Sequence, residues 1–110
     1  MCRQESIFLV AEAGGEICGY IGCYYVLDEG YITNVAVSES FRRRGIAKKL
    51  IEELILRARK LELSFVTLEV RSKNEPAISL YKGLGFCDVG LRPRFYHDPD
   101  DDARLMTFYI

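Results

Sequence analysis

The stretch Asn34-Val-Ala-Val-Ser-Glu-Ser-Phe-Arg-Arg-Arg-Gly-Ile-Ala-Lys-Lys-Leu50 passes from β-forming residues through a basic, glycine-bearing turn into an amphipathic helix. The first N–H groups of a helix lack internal acceptors and its dipole is positive at that end, so such a turn presents donors to a phosphate. Gly45 lets the backbone approach a ligand closely, and Ala47 keeps the next turn slim. On its own, the Arg42-Arg43-Arg44 run also reads as a solvated basic loop. A nucleotide-hydrolysing loop is argued against, because the first glycine and the Lys-Ser/Thr pair of G-x-x-x-x-G-K-[ST] are both missing.

Outward from this stretch the apolar spacing predicts the rest. Ile46, Ala47, Leu50, Ile51, Leu54, Ile55, Ala58 and Leu61 follow the 3.6-residue period of one amphipathic helix packed on a sheet. Upstream, Ile7 to Ala13 reads as a strand, Gly14-Gly15 as a hairpin turn, and Ile17 to Leu27 as a second strand. Asp28-Glu29-Gly30 turns the chain into a third strand, Tyr31 to Val37, which completes an antiparallel meander. Downstream, Ser64 to Val70 is a strand, parallel to the third through a right-handed crossover, so the sheet is mixed. Asn74 caps a second helix with Pro76 in its first turn, an inner face of Ala77, Ile78, Leu80, Tyr81 and Leu84, and a stop at Gly85. Phe86 to Leu91 and Arg104 to Ile110 are closing strands. Between them Arg92 to Ala103, rich in Pro, Asp and aromatics, reads as a loop outside the core and as a place to grip a substrate. The fold class is α/β (α+β), a mixed, mostly antiparallel sheet.

The 110 residues suit a single domain spanning 1–110. With 15 basic and 16 acidic side chains, the net charge of −1 gives no ground for a nucleic-acid or membrane surface. Cys2, Cys18, Cys23 and Cys87 form no C-x-x-C pair and His97 is the sole histidine, so no metal is expected and the thiols read as free and mostly buried. No leader and no apolar run of membrane-spanning length stands out, and a cytoplasmic location is the expectation.

The spacing Arg42-x-x-Gly45-x-Ala47 after a strand, together with Leu68-Glu-Val-Arg-Ser-Lys-Asn-Glu-Pro-Ala-Ile-Ser-Leu-Tyr-Lys-Gly-Leu-Gly-Phe86, resembles the GCN5-related N-acetyltransferases. Within them the resemblance is to the ribosomal-protein alanine and protein N-terminal acetyltransferase branch, over roughly Ile7 to Ile110. It implies a β-α-β-α-β-β core and acetyl-CoA as donor. It assigns the coenzyme pyrophosphate mainly to the backbone around Arg42, Arg43, Arg44, Gly45, Ile46, Ala47 and Lys48. Strands three and four would splay to admit the pantetheine arm, with backbone N–H groups at Val35 and Val37 facing the thioester oxygen. Asn74 would touch the coenzyme as well as cap its helix.

Glu69 lies in an otherwise apolar strand and is expected to be buried, which would raise its pKa toward that of a base; a salt bridge to Arg71 or an edge position facing solvent is the plain alternative. By the resemblance Glu69 deprotonates the amine, directly or through water, and Tyr81 protonates the leaving thiolate. Phe95-Tyr96-His97-Asp98 resembles a loop that holds the acceptor backbone, usually with two tyrosines. Here Phe95 lacks one hydroxyl, leaving Tyr96 as the substrate-binding residue and His97 as a surface residue.

At pH 7 roughly a tenth of an α-amine of pKa near 8 is neutral, against under about a thousandth of a lysine near 10.4, so one glutamate is base enough for the former. The implied acceptor is the N-terminal α-amine of a protein such as a ribosomal protein. A small amine, a lysine, or a non-catalytic acetyl-CoA-binding module remains open. The family's usual N-terminal strand and two helices precede the strand at Ile7 and are not seen here, so an N-terminally short domain, or pairing of two chains as a homodimer over the exposed edge, is expected.

Overall fold

The computed structural model describes residues 4–38 and 45–110. Eight elements follow in order: strands β1 (Gln4–Ala13), β2 (Glu16–Val26) and β3 (Glu29–Val37), helix α1 (Ile46–Lys60), strand β4 (Phe65–Arg71), helix α2 (Glu75–Leu84), and strands β5 (Cys87–Tyr96) and β6 (Asp101–Tyr109). The six strands form one sheet in the order β1-β2-β3-β4-β6-β5. Only β3 and β4 are parallel, as their α1 crossover requires; the other neighbours are antiparallel.

Both helices pack against a single apolar cluster. Leu50, Ile51, Leu54, Ile55 and Ala58 of α1 are buried against Ile7, Ile21, Cys23, Val66, Leu68, Val70 and Met106 of the sheet. Gly19 makes the fit possible, because a Cβ there would stand 2.9 Å from the carbonyl oxygen of Ala36 and 3.2 Å from Ile46 Cγ2. No residue of α2 is fully buried, yet Ala77, Ile78, Leu80, Tyr81 and Leu84 all lean on the same cluster. Alternation along the strands sends a second set of side chains to the opposite face. There Phe8 stacks on Tyr20 at 5.6 Å, Tyr24 on Tyr31 at 5.1 Å, and Tyr31 meets Phe65 edge-on at 6.3 Å.

Two expected boundaries are corrected. The turn after β2 is Leu27-Asp28, and Glu29-Gly30 already belong to β3. Gly30 is buried there because a Cβ would sit 3.2 Å from Leu63 Cδ1 and 3.3 Å from the Phe65 carbonyl oxygen. The loop expected from Arg92 to Ala103 is mostly strand, with β5 running to Tyr96 and β6 starting at Asp101. Pro93 is tolerated because β5 is an edge strand and the ladder is irregular between Arg92 and Tyr96. Ala103 is fully buried, and Asp101 is buried with its carboxylate accepting from the backbone N–H groups of Lys73 (3.1 Å) and Asp102 (2.8 Å).

Candidate active site

The site begins at a defect in the sheet. β3 and β4 stay paired only through Glu29–Phe65, Gly30–Val66 and Tyr31–Thr67. On its other edge β3 carries a bulge: Cys23 faces Ile32 and Gly22 faces Asn34, leaving Thr33 as the extra residue, its hydroxyl donating to the Gly22 carbonyl at 3.3 Å. A bulge bends its strand and increases the local twist. This one turns Ile32 to Val35 away from β4 just past the last parallel pair, so the splay expected between these strands is present.

Two cavities open into that splay. One, of about 490 Å³, is lined by Tyr24, Tyr31, Thr67, Val89, Arg92, Phe95 and Leu105. The other, of about 300 Å³, is lined by Asn34, Val35, Val70, Arg71, Asn74, Ala77 and Tyr81. Ile32, Thr33, Leu68, Glu69 and Tyr96 line both. The gap therefore joins two chambers, with a carboxylate and a phenol at the junction.

Glu69 is not buried as the apolar strand suggested. Because the neighbouring strand departs, its side chain is 29 % exposed and reaches Arg92, Nη1 to Oε1 3.2 Å. The desolvation argued from the strand's composition falls away, and so does Arg71 as the ion-pair partner. Arg71 turns instead to the β5–β6 turn, donating to the carbonyls of Pro99 (2.8 Å) and His97 (3.3 Å) with its guanidinium 4.4 Å from the centre of the Tyr96 ring.

Tyr81 stands on α2, its ring 5.8 Å from that of Phe86. Burial, then the neighbouring Tyr96, push its phenol above the usual tyrosine range, which keeps a proton on it. Burial raises the Tyr96 phenol too; Glu69 adds to the rise, Arg71 opposes it, and Asp101 adds again. Asn74 caps α2 as expected, its Oδ1 accepting from the Ala77 N–H at 3.3 Å, while facing the smaller cavity. His97 is 82 % exposed beside Asp100 and lines neither chamber.

Gly45 caps α1 in the left-handed conformation (φ 74°) with no side-chain hydrogen bond to the first turn, and among the described residues beyond its chain neighbours no atom lies within 4 Å of where its Cβ would be. Ile46, Ala47 and Lys48 form that turn, which contains no acidic residue. A helix start with no side-chain cap and no acidic residue in its first turn fits an anionic group. Arg42, Arg43 and Arg44 lie outside the described residues. Val35 lines the smaller cavity; Val37, the last residue of β3, faces Gly19 of β2 in the ladder.

The profile of the acetyltransferase (GNAT) family matches residues 1–86. The ribosomal protein bS18-alanine N-acetyltransferase of Escherichia coli is 35% identical over 87% of this chain and 66% of its own length. Its crystal structure superposes with a TM-score of 0.91, at 32% identity, over 96% of this chain and 69% of that one. This chain belongs to the GNAT acetyltransferase family. An N-alpha-acetyltransferase of Sulfurisphaera tokodaii is likewise 35% identical, over 96% of this chain and 70% of its own. The chain thus spans about two-thirds of the length of these relatives. The GNAT family uses acetyl-CoA as its acetyl donor. Its mixed six-stranded sheet with two helices is the GNAT-like fold.

Three residues that shape this site were missed from the sequence: Arg92 as the partner of Glu69, Arg71 as the tether of the β5–β6 turn, and Asp101 as a buried acceptor. Each depends on the register of β4, β6 and β5. No local signal carries that register.

Proposed function

We propose that this GNAT enzyme is a single-domain transferase that moves the acetyl group of acetyl-CoA to the N-terminal α-amine of a protein such as a ribosomal protein. The observation that carries the reading is the junction of two chambers at Glu69 and Tyr96, with Tyr81 on one side and Arg92 on the other. The smaller chamber, beside α2 and Asn74, suits the pantetheine arm and thioester. Backbone N–H groups at Gly45, Ile46, Ala47 and Lys48, with Arg42, Arg43 and Arg44 before them, take the pyrophosphate. The larger chamber, lined by aromatic and aliphatic side chains, takes the acceptor, with Tyr96 hydrogen-bonding its backbone.

In the reaction, the neutral amine attacks the thioester carbonyl; the C–N bond forms and the C–S bond breaks. Glu69 accepts the amine's proton, directly or through a water, and Tyr81 supplies a proton to the departing thiolate. Backbone N–H groups of the bulged strand at Val35 and Val37 stabilise the negative charge that develops on the carbonyl oxygen. The similarity to two α-amine acetyltransferases supports that acceptor over a lysine or small amine. Cys18, Cys23 and Cys87 are free, which supports the reducing cytoplasm as its location. Exposed Phe8, Val10 and Tyr20 along β1 and β2 support pairing of two chains over this edge.

Thiol release from acetyl-CoA tests the reading, with N-terminal peptides, a lysine peptide and polyamines offered as acceptors. Turnover on a free α-amine, lost in Glu69→Gln, is the expected result. Coenzyme binding without turnover on any acceptor would leave only a binding module.

A further inference from the structure

Arg71 ends β4 beside the junction but enters neither the proton transfers nor the donor contacts derived above. Its guanidinium makes three contacts with one neighbouring segment: hydrogen bonds to the carbonyls of Pro99 and His97 and a face-on approach to the Tyr96 ring. A planar fork that satisfies two carbonyls while lying over an aromatic ring is a task for arginine, and lysine cannot reproduce it. Around it the same two segments are stitched twice more, by Ser72 N–H to the Asp102 carbonyl (2.9 Å) and by Lys73 N–H to the Asp101 carboxylate (3.1 Å). Those two bonds hold the start of β6. Arg71 alone among the described side chains grips both the tip of the turn and Tyr96.

We propose that Arg71 is a positioning residue for the acceptor: it fixes the Tyr96 ring, and with it the phenol at the chamber junction, against the end of β4. This rests on the reading that Tyr96 binds the acceptor. Tyr96 ends an edge strand whose register slips between Arg92 and Tyr96, so its pairing with Asp101 is the one ladder contact that anchors this end of the strand, and it fixes the backbone rather than the ring. Among the described residues, the titratable groups facing Tyr96 are Glu69, Arg71, Asp101 and Tyr81, and of these Arg71 alone is cationic. The guanidinium therefore sets both where the phenol points and the charge it meets.

The test compares Arg71→Met, Arg71→Lys, Tyr96→Leu and the double variant Arg71→Met/Tyr96→Leu. Expected is a rise of about tenfold in acceptor KM for Arg71→Met, with acetyl-CoA KM held within about twofold. Arg71→Lys should restore little of the loss. The double variant should be no worse than Tyr96→Leu alone, since both changes remove the same oriented ring. Additive losses, or an acetyl-CoA KM that rises in step, would overturn the proposal. A second measurement needs no turnover. In protein labelled with 3-fluorotyrosine, the Tyr96 resonance is assigned by its loss in Tyr96→Phe. In Arg71→Met it should shift and titrate at higher pH than in the parent, because the one cation among those facing groups is gone. An unchanged resonance and titration would overturn the proposal even if KM moves. A parent protein with no turnover on any acceptor would instead sink the transferase reading, and the fluorine titration would still decide the clamp.

Discussion

Arg92 and Glu69 form an ion pair across the mouth of the larger chamber, Nη1 to Oε1 3.2 Å, with the arginine side chain 54 % exposed and the glutamate 29 %. An acceptor ammonium approaching Glu69 meets a cation already there. Exposed pairs of this kind are worth about 0.2–1 kcal/mol. Arg92→Gln should therefore lower acceptor KM by roughly 1.5- to 5-fold. Raising the ionic strength should narrow the difference between variant and parent. Steady-state kinetics at two salt concentrations measure both effects.

Glu69→Gln should cut kcat by about 10²- to 10⁴-fold while acetyl-CoA still binds, because the amide keeps the shape and loses the base. Tyr81→Phe should cost about 10²-fold, the low end, since a thiolate is a tolerable leaving group even without its acid. Single-turnover rates alongside calorimetric titration with acetyl-CoA separate chemistry from binding.

Much of this site could be read from residues before any fold was known, and the reason is local. Asn74 announces a cap by its place before Glu75-Pro76, Gly85 announces a stop, and the eight apolar residues from Ile46 to Leu61 mark a helix by period alone. Glu69 shows where such reading ends. Its strand is apolar, yet its exposure is decided by a bulge at Thr33 on a different strand. Asp101 fails in the opposite sense: its segment reads as a loop outside the core, yet its carboxylate is buried, bound by the N–H of its neighbour Asp102 and by that of Lys73, 28 residues away in sequence.

Gly19→Ala should loosen the contact of α1 with the sheet. The added methyl would meet the Ala36 carbonyl at 2.9 Å and Ile46 Cγ2 at 3.2 Å, and Ile46 is the first residue of the helix whose end is proposed to bind the coenzyme. We expect a loss of about 1–3 kcal/mol in stability, measured by urea unfolding, together with weaker acetyl-CoA binding. Binding that is unchanged while stability falls would detach the helix end from the donor site.

Stability should fall on the alkaline side in a way that names Cys23. Burial pushes its thiol up to about 11 from 9.0, opposed in part by a backbone hydrogen bond from Tyr31. The folded state thus holds its proton where the unfolded chain releases it. The contribution is whole below pH 9 and is lost as pH rises from 9 through about 11. Chemical denaturation across that window should show a shallower decline in Cys23→Ala than in the parent.

Two chains paired over β1 should sediment as a dimer, and Phe8→Lys should return them to monomers. Phe8 is 65% exposed and stacked on Tyr20, so a charge there disturbs that edge without entering the core.

The parting of β3 from β4 also governs the order of events. With the donor in the smaller chamber and the acceptor in the larger, as proposed, the two would enter by separate doors and neither would have to leave before the other arrives. Among the described residues no thiol lines either chamber to carry the acetyl group between them. The kinetics that follow are those of a ternary complex: initial-rate lines that intersect rather than run parallel, and a dead-end coenzyme analogue that competes with the donor but not with the acceptor.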